Sequence, residues 1–202
     1  MYEIEKEYGV KATYYFRDST VDLDLIKELH DDVFDVGYHY ETIANMIVSG
    51  KIKQKSDIII NKVREEFLKE LKTFECRVGF TIHTCASHGA PENEQIGVSN
   101  NVIFEDVDAK SLNIDIEAYD IRIIDSLTRY ICDGGIMVNY GFAYGGYNIL
   151  ESLSNNEPVI CFLSHPNHWY MSLCQRFRKL VRMLLGKGVY HSNSVFNRIG
   201  KL

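Results

Sequence analysis

Helical and strand-like stretches alternate along most of this 202-residue chain, which predicts an α/β domain built on a mainly parallel sheet. Two observations carry that expectation. Short apolar runs rich in β-branched and aromatic residues recur between amphipathic segments. Several of these runs lead into a histidine: Phe34 to Tyr38 into His39, Arg77 to Ile82 into His83, and Pro158 to Leu163 into His165. Histidines at the ends of strands suggest one polar site at the mouth of a sheet or barrel.

Taken in order, Tyr2 to Tyr8 reads as helical turns, with Gly9 as a stop. Val10 to Phe16 reads as a strand. Asp18 to Asp22 is a polar loop. Leu23, Ile26, Leu29 and Val33 have helical spacing, with Asp22 or Asp24 near the cap. Phe34 to Tyr38 is the next strand, and Thr42 to Val48 a loop or short helix. Ile52 to Phe74 is the longest periodic segment, its stripe of Ile59, Val63, Phe67 and Leu71 set among Lys and Glu. Arg77 to Ile82 is strand-like. His83 to Asn101 holds Gly, Pro, Asn and Ser without periodicity and reads as a long loop of functional type. Val102 to Val107 reads as a helical turn, and Asp115 to Ile124 has no clear period. Arg129 to Cys132 and Ile136 to Asn139 read as strands, followed by an aromatic glycine loop from Gly141. Asn148 to Leu153 is a short helix, Pro158 to Leu163 a strand, and Tyr170 to Leu185 an amphipathic helix. No linker or repeat divides the chain, so one domain over residues 1–202 is expected.

Composition narrows the function. The formal net charge is −6, which disfavours a nucleic-acid partner. No apolar run approaches the length of a membrane span. The N-terminus lacks a signal-peptide core. Five cysteines without a Cys-x-x-Cys pair fit reduced thiols in a cytoplasmic protein.

The chemistry-bearing residues cluster around those strand ends. His39 and Glu41 are polar where an apolar strand has just ended, the position at which α/β folds build their sites. Alternatively, His39 is a histidine hydrogen-bonded at a strand end. His83 and His88 bracket a turn, and His88 could serve as a second imidazole ligand for zinc. Cys85 beside His83 has nothing nearby to activate it. Pro166 biases His165 toward an extended backbone. Asp133 either orients that ring and raises its pKa, as a general acid requires, or simply forms a turn with Gly134 and Gly135.

Four stretches in this order resemble a known family: Gly9 to Phe16, Gly37 to Glu41, Ser87 to Pro91, and Leu163 to Trp169. Together they resemble the polysaccharide deacetylase domains (NodB-like, carbohydrate esterase family four), in particular a divergent branch from surface-polysaccharide biosynthesis. The resemblance implies an incomplete (β/α) barrel and a metal-dependent hydrolase that removes acetyl groups from a sugar or polysaccharide precursor. Carried over, His39 is a metal ligand and His165 the general acid. His88 stands where the family has Arg-x-Pro. The family's second metal histidine falls at Ile43, so Glu41 or His88 must substitute for it. The family's Asp-Asp motif lies upstream of the strand matching Val10 to Phe16, so the chain is expected to be truncated at its N-terminus and to hold zinc weakly. The alternative is a non-catalytic carbohydrate-binding remnant using Tyr38, Tyr40, Tyr140 and Tyr144. With the family's upstream strand missing, Val10 to Phe16 is expected to be an edge strand, open to pairing with another chain in a homo-oligomer.

Overall fold

A computed structural model describes residues 1–132 and 149–165 of the chain. It has two compact units, residues 1–120 and 121–202, and each is described by itself.

Unit 1 is an α/β layer on a four-stranded parallel sheet. Its strands are β1 (Thr13–Phe16), β2 (Asp35–Tyr40), β3 (Thr84–Ser87) and β4 (Ile116–Glu117), in spatial order β1-β2-β3-β4. Its helices are α1 (Tyr2–Glu7), α2 (Leu23–Asp31), α3 (Thr42–Val48), α4 (Ile60–Val78) and α5 (Pro91–Ile96). Among the described residues β1 pairs with β2 alone, as expected of an edge strand.

Side-chain alternation on β2 separates two faces. Val36, Tyr38 and Tyr40 are buried on the helix side. Tyr38 stacks on Phe74 of α4 with ring centroids 4.9 Å apart, and Tyr40 meets Phe67 edge-on at 5.3 Å. The apolar stripe of α4, Val63, Phe67, Leu71, Phe74 and Val78, supplies the other half of this core. Burying each such side chain stabilises the fold by about 1.5–3 kcal/mol. Tyr38 and Tyr40 therefore belong to the core and not to a binding mouth, which corrects their expected role; Tyr140 and Tyr144 lie outside the described residues.

The far face is more polar. It carries Thr13 beside Asp35, Tyr15 beside Gly37, and His39 beside Ala86, following the strand register. The Thr13 hydroxyl lies 3.0 Å from Asp35 Oδ2. Tyr15 reaches across β2 to place its hydroxyl 3.0 Å from Thr84 Oγ1 on β3. Gly37 makes that crossing possible: a Cβ there would stand 2.4 Å from Tyr15 Cδ1.

Several sequence expectations shift. Helix α4 begins at Ile60 and runs on to Val78, where Gly79 stops it in the left-handed region at φ 87°. Arg77 to Ile82 is consequently not a strand. The strand is Thr84–Ser87, inside the stretch expected as loop, which also contains α5 and the start of a 3₁₀ turn at Asn100–Phe104. Val33 is exposed, at φ 62°, rather than on the apolar face of α2.

Unit 2 contains α6 (Ile121–Ile124), β5 (Arg129–Cys132), α7 (Ile149–Ser154) and β6 (Ile160–Leu163). β5 and β6 pair in parallel, Cys132 opposite Leu163. Ile124, Leu127, Tyr130 and Cys132 form a small core there. Asp133, the expected strand at Ile136 to Asn139, the loop from Gly141 and the helix at Tyr170 to Leu185 lie outside the described residues. No described helix is long and apolar enough to cross a membrane.

Candidate functional site

Polar groups gather where β1, β2 and β3 end. β1 gives way to Arg17, whose backbone is still extended (φ −81°, ψ 140°), so alternation keeps its side chain on the Tyr15 side of the sheet. β2 carries His39 near its end, followed by Glu41, which occupies the N-cap position of α3. β3 leads into His88, whose backbone N–H donates to the Tyr40 carbonyl at 3.0 Å and extends the β2–β3 pairing.

His39 and His88 come together, their rings edge-to-face with centroids 4.7 Å apart. Glu41 Oε1 lies 3.6 Å from His88 Nε2. That separation is too long for a hydrogen bond but close enough for strong attraction once the ring is protonated. Arg17 grips the same carboxylate with both arms: Nε donates to Oε2 at 2.7 Å, and Nη2 lies 2.7 Å from Oε1. Such a bidentate pair is strong and directional. Glu41 is largely enclosed, so its charge acts on His88 with little solvent between them.

His83 does not join this group. It precedes β3, about 16 Å along the strand from His88, and its Nδ1 lies 3.1 Å from Asp115 Oδ2. Cys85 is fully buried. Burial, with a smaller push from Glu117, drives its thiol well above the usual range, away from the thiolate that a nucleophile needs. His165 follows β6 in unit 2.

Zinc would need open lone pairs on the expected ligands His39, His88 and Glu41. The two imidazoles are near enough to share an ion, but a cationic guanidinium already satisfies both Glu41 oxygens. No group of three or more His, Cys, Asp or Glu side chains among the described residues is arranged to hold a metal ion. As arranged, the residues do not fit the metal.

Sequence reasoning missed Arg17, Asn100 and Glu117. Asn100 is fully buried. Its Oδ1 accepts from the backbone N–H groups of Ile43 (2.9 Å) and Ala44 (3.4 Å). Its Nδ2 donates to the His88 carbonyl at 2.6 Å and to Asn93 Oδ1 at 3.0 Å. Glu117, on β4, is buried on the helix side. It accepts from Tyr40 OH (3.3 Å), Ser87 N (3.2 Å) and Tyr119 N (2.7 Å). Burial outweighs these bonds and pushes its carboxyl up to about 7. Only Arg17 had a readable signal, an arginine directly after a strand whose alternation points it toward His39.

Comparison with protein-family models, with curated proteins and with solved structures finds no match for this chain.

Proposed function

We propose that unit 1 is the site-bearing part of a hydrolase that removes acetyl groups from a sugar. The observation that carries this reading is the paired imidazoles of His39 and His88 beside Glu41, at the carboxyl ends of adjacent parallel strands. Imidazole titrates near neutral pH and is well suited to moving protons. In this scheme His88 takes a proton from water as the oxygen attacks the acetyl carbonyl. Glu41, held by Arg17, stabilises the imidazolium so formed. The proton then passes to the departing nitrogen or oxygen, releasing acetate and the deacetylated sugar. His39 packs against His88 and fixes its ring.

The strand order supports the finer fold reading. Right-handed crossovers between strands in the order β1-β2-β3-β4 place the helices on one face, as a (β/α) barrel requires, whereas a doubly wound sheet reverses direction. The zinc expected from the resemblance would require Glu41 to leave Arg17, and no step above depends on it. A second reading, a carbohydrate-binding protein without turnover, is favoured by the same Arg17–Glu41 pair, which occupies the carboxylate.

The test is acetate release from N-acetylated and O-acetylated oligosaccharides by the full chain, with chelator and with added zinc. The expected result is release that His88→Ala lowers by about 10²–10⁴-fold. Binding without release would select the second reading. Neither binding nor release would overturn both.

A further inference from the structure

A helix ordinarily satisfies its first N–H groups with the side chain of its own N-cap residue, which accepts from the second or third helical residue. The N-cap of α3 is Glu41, and its side chain makes no such bond. It points instead to Arg17 and His88. The vacated role is filled from 57 residues away: Ile43 N and Ala44 N, the second and third helical residues, donate to Asn100 Oδ1. The amide end of the same side chain donates to the His88 carbonyl. Asn93 braces it from behind, accepting from Asn100 Nδ2 at its own Oδ1 and donating from Nδ2 to the Val98 carbonyl at 2.9 Å.

We propose that Asn100 is the positioning residue of the His39–His88–Glu41 site. By capping α3 in place of Glu41 it releases that carboxylate toward the site, and by holding the His88 backbone it sets the second imidazole against the first. The inference rests on taking these three side chains as the working site. Two geometrical demands meet at one carboxamide, because capping needs an acceptor and the His88 carbonyl needs a donor. Aspartate and leucine each fail one or both demands. Glutamine keeps both groups but is one methylene too long for a fully enclosed position.

Asn100→Asp separates the two functions. It keeps an acceptor for α3, where a negative charge is also favourable, and loses the donor to His88. The readout is the NMR signature of the ring pair in the full chain: cross-peaks between the His39 and His88 ring protons, and the upfield shift that one ring imposes on the other. Asn100→Asp should abolish both while the amides of α3 stay protected from exchange. Asn100→Ala should lose both and expose the amides of Ile43 and Ala44. Ile26→Val, a core change on α2 that touches none of these bonds, should lower stability and leave the ring signature unchanged. Intact ring cross-peaks in a folded Asn100→Asp or Asn100→Ala protein would overturn the proposal. If neither variant folds, the wild-type carboxamide protons decide. Slow exchange of the Asn100 NH₂ group relative to that of exposed Asn45 supports the arrangement, and equal exchange overturns it. None of these readouts uses turnover, so failure of the acetate assay and failure of this inference are distinguishable.

Discussion

Replacing Gly37 with alanine should destabilise unit 1 through a single contact. The new Cβ would stand 2.4 Å from Tyr15 Cδ1, 2.5 Å from Cε1 and 3.0 Å from Thr84 Cγ2. Carbon atoms pack at about 3.5–4.0 Å, so the Tyr15 ring must move by more than 1 Å, roughly the shortfall from that spacing. Its position is fixed at the far end by the hydroxyl contact with Thr84 Oγ1, so movement breaks that bond. Overpacking costs about 1–3 kcal/mol, and the lost hydrogen bond about 1 kcal/mol. Alanine returns about 0.5–1 kcal/mol because glycine is the poorer strand residue. The net expectation is a loss of about 1–3.5 kcal/mol from these three effects. Urea unfolding followed by far-UV circular dichroism would measure it. The decisive comparison is the same substitution in a Tyr15→Ser background, where the clash is gone and Gly37→Ala should be neutral or mildly stabilising. A Gly37→Ala protein within about 0.5 kcal/mol of wild type, the usual scatter for an uninvolved position, would refute the reasoning. So would equal costs in the two backgrounds.

Three further outcomes are expected. Glu117 holds its proton to about pH 7 in the folded chain, against 4.5 for the free group. The unfolded chain releases that proton first, so stability should fall as pH rises from 4.5 to 7, by about 3 kcal/mol in total. Glu117→Gln should flatten that slope in urea titrations, and an unchanged slope would assign it to other groups. Arg17→Ala frees both oxygens of Glu41, so calorimetric titration should show tighter zinc binding than wild type; equal affinity would remove Glu41 from any ligand set. Val33 closes α2 with φ 62°, which costs a β-branched residue about 1–2 kcal/mol. Val33→Gly should therefore raise stability by about 0.5–1 kcal/mol once glycine's extra chain entropy is counted, and a lower Tm would contradict this.

The elements legible in the sequence are those whose pattern and packing agree. Helix α4 was readable because every third or fourth residue from Val63 to Val78 is buried in the core. Strand β2 was readable from its apolar run, but alternation was not carried far enough: it sets Tyr38 and Tyr40 opposite His39, and so excludes them from the site. Strand β3 was hidden. Val78 to Ile82 looks more like a strand than Thr84 to Ser87 does, yet Val78 is the last buried residue of α4. β3 is short and small-chained because it is covered on the helix side and must admit Tyr15 and His39 on the other. The approach of His39 to His88 followed from both standing at strand ends. Asn100 sits in a stretch without periodicity, and nothing local reveals that its partners are 12 and 57 residues away.

The register of β2 decides what the site contains. A slip of one residue against β1 and β3 would turn Val36, Tyr38 and Tyr40 onto the far face and bury His39 against Phe67 and Phe74, because side chains alternate with a period of two. Two features oppose such a slip from opposite faces. On the helix side, Tyr38 and Tyr40 are fully enclosed by the aromatic rings of α4. On the far side, Tyr15 crosses β2 at the one position without a side chain; moved by one residue, it would meet Val36 or Tyr38. Arg17, His39 and Ala86 form the next level of the same far face, one pair of residues beyond Tyr15, Gly37 and Thr84. The contact that makes Gly37 necessary for stability therefore also determines that an imidazole, rather than a phenol, faces His88.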